Sequence, residues 1–172
     1  SIQYIKKELD SRKPEELVSL CIRLAKYKTE NKELLNYLLF EAYDEETFIE
    51  NIKKEMDISY SEINRSNLYL VKKSLRKILR TLNRYIKYSG SKQTEVELLI
   101  YYCKKLKDSG IPFEKSPVLM NLYQRLFSRI QKALSTLHED FQYDYNKEIQ
   151  VIFKKKNEFK IAYIFPFAIT YF

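Results

Sequence analysis

A chain of 172 residues, 45% hydrophobic and 31% charged, can bury the core of one domain and is neither a disordered polar tail nor a membrane protein. Two Gly and four Pro exclude folds built on glycine-bearing turns: a Rossmann fold, a P-loop, a β-sandwich. The balance is basic, 31 Lys and Arg against 23 Asp and Glu, or +8, which favours an anionic partner.

The first ten residues hold acids and no apolar run, so no signal peptide is expected. Pro14 with Glu15 and Glu16 marks a helix start, and the helix to about Tyr27 is expected to bury Leu17, Leu20, Cys21, Leu24 and Ala25. Lys32–Tyr43 is apolar nearly all round, with Leu34, Leu35, Leu38 and Leu39 on one face and Tyr37 and Phe40 on the other. That pattern predicts a buried helix at the hub of the N-terminal half. Asp44 can cap a third helix that turns Phe48, Ile49, Ile52 and Met56 inward. The box Ser59-x-x-Glu62 predicts a long fourth helix from about Ser59 to Tyr88, stopped by a left-handed Gly90.

In this fourth helix Leu68, Val71, Leu75, Ile78, Leu82 and Tyr85 form a seam spaced alternately three and four residues apart. Lys73, Lys77, Arg80, Arg84 and Lys87 lie opposite it within an arc of roughly 80°. Thr94-x-x-Glu97 opens a fifth helix carrying Val96, Leu99, Cys103 and Leu106 inward, and Ser116-Pro117 opens a sixth that buries Leu119, Leu122, Leu126, Ile130, Ala133 and Leu137. From Ile149 the chain turns β-branched and aromatic, which leaves open a β-hairpin or a disordered tail. The fold expected is all-α: about six helices as antiparallel hairpins, in a bundle or a short helical-repeat-like stack. The helical domain spans residues 1–148, and 149–172 form a hydrophobic tail that is no domain of its own.

The segments NRSNLYLVKKSLRKILR, GSKQTEVELL and LHEDFQYDY resemble a group of small all-helical bacterial proteins to which no activity is assigned. The resemblance covers about residues 13–148. It implies a helical fold and carries over no functional residue, and the chain after about Glu148 departs from it.

Chemistry is sparse. No phosphate loop, dinucleotide fingerprint, HExxH or calcium loop is present, so neither cofactor nor metal is expected. His138, the one histidine, sits beside Glu139 and Asp140 at a helix end and reads as a surface residue. No catalytic residue is assigned and no enzyme is expected. Cys21 and Cys103 have no partner motif and suit buried free thiols in a cytoplasmic protein without a transmembrane segment. Residues 65–107 hold twelve Lys and Arg against two acids, and the candidate surface for an anionic partner is Lys72, Lys73, Arg76, Lys77, Arg80, Arg84, Lys87 and Tyr69. The expected function is a non-enzymatic helical module that binds a protein. The alternative is nucleic-acid binding through the basic face of residues 67–88.

Overall fold

Residues 1–153 are described by a computed structural model, and every regular element among them is helical. In chain order they are α1 (Ile2–Asp10), α2 (Pro14–Tyr27), α3 (Thr29–Asn36), a π turn (Tyr37–Glu41), α4 (Glu45–Ser61), α5 (Leu68–Ser89), α6 (Lys92–Asp108), a 3-10 turn (Phe113–Lys115), α7 (Pro117–Leu134) and α8 (Glu139–Phe153). The all-α expectation holds, with two more α-helices than the six expected. α1 lies in a stretch that had no assignment. α8 takes in Ile149–Phe153, which pattern alone reads as the start of a strand. Ile149 and Ile152 are buried, three residues apart on one helical face. The hairpin and tail expected for the remaining residues lie outside the described ones.

Helix ends follow local capping chemistry. The side chains of Asp44, Asn67, Ser91 and Ser116 accept from the N–H groups of Thr47, Leu70, Thr94 and Leu119. Two expected boxes are therefore displaced. Ser59 and Glu62 fall at the end of α4, and a break at residues 62–67 precedes α5, which Asn67 caps. Ser91, not Thr94, opens α6, and Thr94 is itself buried. Gly90 ends α5 at φ +67, a conformation that costs a residue bearing a Cβ about 1 kcal/mol or more.

The core lies in α4–α8, with α6 at its centre, packed against α4, α5, α7 and α8. Val96, Leu98, Leu99, Tyr102, Cys103 and Leu106 have no exposed surface. Tyr102 donates its hydroxyl to the Leu75 carbonyl, and Tyr60 donates to that of Tyr102, so both phenols enter the core without a stranded donor. Other tyrosines close the seams between helices by donating to carboxylates: Tyr85 to Glu55, Tyr101 to Asp57, Tyr88 to Glu33.

The N-terminal half departs most from its pattern. The stretch read as one buried helix over Lys32–Tyr43 divides into α3 and the π turn, and Leu38, Leu39 and Phe40 are exposed. α2 buries none of its residues, and Cys21 is exposed, contrary to the buried thiol expected. An all-round apolar helix is buried only if neighbours surround it. Here α2 packs on α3, the π turn reaches α4 and α5, and Glu33 of α3 meets Arg84 and Tyr88 of α5.

Candidate interaction surfaces

The basic surface is built by α5. Burial of Val71, Leu75, Ile78, Leu82 and Ile86 fixes the helix's rotation and turns the opposite side to solvent. Lys73, Arg76, Lys77, Arg80 and Lys87 are exposed, while Lys72 at its edge and Arg84 within it are half-buried. Lys73 to Lys87 spans roughly 21 Å along the axis. Arg84 alone is tied down, 3.4 Å from the Glu33 carboxylate of α3. Among the described residues no carboxylate lies within ion-pair distance of Lys72, Lys73, Arg76, Lys77, Arg80 or Lys87.

The acids of α4 do not cover this stripe because they point elsewhere. Glu45 and Glu55 accept from tyrosines, and Asp57 accepts from Tyr101 and pairs with Lys105 at 2.9 Å. Tyr69, 73% exposed, stands free at the start of the stripe. Tyr88, at its far end, is turned inward. Burial first, and then its bond to Glu33, push that phenol up to about 12.

The second surface is apolar, and reading residues one helix at a time does not find it. Before Tyr37 no residue of the chain is buried. Val18 is 62% exposed, Ile22 47%, Leu38 58% and Phe40 63%. α1 and α2 enclose an open trough of about 750 Å³ whose apolar wall is Ile5, Leu9 and Leu20, with Arg12 and Arg23 at the rim. Arg12 lies 3.7 Å from Glu8 of α1 and 3.6 Å from Glu16 of α2, in exposed ion pairs. Scattered single apolar residues on a surface are ordinary, whereas this arm carries many within its first 43 residues. The signal lay in the sequence as apolar character all round α2 and the π turn, which equally describes a buried helix.

The polar cluster that comes nearest to an active site surrounds Glu45. Its carboxylate accepts from Tyr37 at 2.7 Å, from Thr94 at 2.6 Å and from Ser89. Burial would raise the Glu45 carboxyl, but the three hydroxyls outweigh it and hold it below its ordinary value. A carboxylate so stabilised is a weak base at neutral pH, and the cluster contains no imidazole or amine to share a proton. It reads as a clamp joining the arm to the starts of α4 and α6. His138 is exposed, 3.3 Å from Asp140. Among the described residues no group of His, Cys, Asp and Glu could hold a metal ion, and no helix is long and apolar enough to cross a membrane. A groove of about 270 Å³ between α4 and α5, bordered by Met56, Ile78, Leu82 and Lys77, is below the usual size of a small-molecule site.

No family model, curated protein or solved structure matches the chain.

Proposed function

We propose that this protein is a non-enzymatic helical interaction module that takes a protein partner on the apolar face of its N-terminal arm. The observation that carries the reading is the exposure of Val18, Ile22, Leu38, Leu39 and Phe40 on an arm that meets the core at Glu33, Leu34 and Tyr37. Covering such side chains is worth about 25 cal/mol per Å² before the costs of association, so a partner gains most there. The core of α4–α8 serves as a rigid mount, linked to the arm by the Glu45 clamp.

The test is recovery of bound proteins from nuclease-treated lysate, comparing the native chain with a Val18→Glu/Leu39→Glu variant. Partners held by both chains alike would refute the assignment to the arm. Partners lost with the variant, while its helicity is unchanged, would support it.

A second reading, nucleic-acid binding, is favoured by six cations on α5 that have no ion-pair partner among the described residues. With about four phosphates neutralised, log affinity falls against log salt with a slope near −3 to −4 on duplex. Lys77→Glu/Arg80→Glu removes that binding and leaves capture through the arm intact. The two readings thus fail separately.

A further inference from the structure

The apolar face of α2 is self-complementary, and we infer that a second copy of this chain covers it, pairing the two α2 helices antiparallel about a two-fold axis. The inference rests on the interaction reading above and names its partner. At about 100° per residue, Val18 and Ile22 point within roughly 40° of each other, at the middle of the open face. Glu15 and Lys26 both border one flank of it, and Cys21 borders the other.

A two-fold axis between residues 20 and 21 brings Val18 within one residue, about 1.5 Å of rise, of Ile22 of the partner copy. The same axis sets Glu15 against the other copy's Lys26, twice over. Neither Glu15 nor Lys26 has an ion-pair partner among the described residues, so both are free for this role. In a parallel pair like charges would face each other, which disfavours that arrangement.

The charge balance agrees with a second copy. Residues 1–43 hold eight Lys and Arg against seven Asp and Glu, so two arms approach without net repulsion. Residues 65–107, with twelve cations and two acids, would repel their own copy. Val18 and Ile22 together expose about one whole apolar side chain on the paired face. That is small against the roughly 800 Å² per partner of a standard stable interface, so the pair is a weak, reversible one. An isologous contact of this kind closes at two copies and leaves the α5 stripes of both copies outside it.

Sedimentation equilibrium of the full chain across a concentration series tests the inference. A reversible monomer–dimer equilibrium is expected, lost in Ile22→Glu. Glu15→Lys alone puts two like-charge pairs in the dimer and raises the dissociation constant about tenfold. Combining Glu15→Lys with Lys26→Glu restores it, a rescue that loss of helix stability would not produce. The two Cys21 residues fall within about 2 Å of each other along the axis, on the same side of the pair, so a short bis-maleimide links them. Cys103, being buried, stays unmodified in the folded chain. A chain that is monomeric at every concentration, or a double charge reversal that fails to restore the dimer, overturns the second copy as partner. If that monomer still loses a captured protein on Val18→Glu, the interaction reading stands without it.

Discussion

Replacing Glu45 by Ala tests the clamp between arm and core. The substitution strands three hydroxyls, of which Thr94 is 1% exposed and cannot turn to water. An orphaned buried donor costs about 1–3 kcal/mol. Ser89 and Tyr37 can partly rehydrate, and loss of an acid from the first turn of α4 adds about 0.3–1 kcal/mol. The total is about 3 kcal/mol, or roughly 6–12 °C in Tm for a domain of this size. The acid limb gives an independent reading. Because the Glu45 carboxyl lies below its ordinary value of 4.5 in the folded chain, its stabilisation is complete above that pH. It is lost as pH falls through the lower folded value. Urea unfolding from pH 7 to pH 3 should therefore show a flatter acid limb in the variant than in the native chain. A Glu45→Ala chain with an unchanged midpoint at pH 7, and a parallel loss on acidification, would refute the clamp.

Leu98→Ala, at a position with no exposed surface in the central helix, is expected to cost about 2.7–5 kcal/mol in a denaturant melt; a cost below 1 kcal/mol would displace α6 from the centre. Thiol titration should count one reactive cysteine, Cys21, in the native chain and two after unfolding. Burial pushes the Cys103 thiol far above its ordinary range and keeps it inert, and rapid native reaction of both would contradict the described core.

Much of the core was legible because amphipathic helices report their own inner face. Val71, Leu75, Ile78 and Leu82 on α5, and Leu119, Leu126 and Ile130 on α7, lie where the three-and-four spacing puts them. Gly90 and Ser116 punctuate the chain as their chemistry requires. The centre was not legible. α6 and the Lys32–Tyr43 stretch are both apolar on several faces, and period alone cannot say which one acquires neighbours. α6 has helices on its several sides, whereas the π turn sits at the edge with Leu38 and Phe40 outward. Of the candidate basic surface, Lys73, Lys77, Arg80 and Lys87 face solvent as the arc predicted. Arg84 could not be foreseen as paired, because Glu33 is distant in sequence and meets it only through the packing of α3. Ile149–Phe153 read as a strand because β-branched residues favour one. Packing of Ile149 and Ile152 on the core overrides that preference.

The claim at the centre of this account is that the arm's apolar residues are surface held for a partner and not core. Thermal melting of Leu38→Asp in dilute solution tests it most directly, because the two views predict opposite results. At a position 58% exposed, the substitution should shift stability by no more than about 0.5 kcal/mol. A carboxylate forced into a buried hub would cost several kcal/mol and abolish the cooperative transition, and that result would contradict the account.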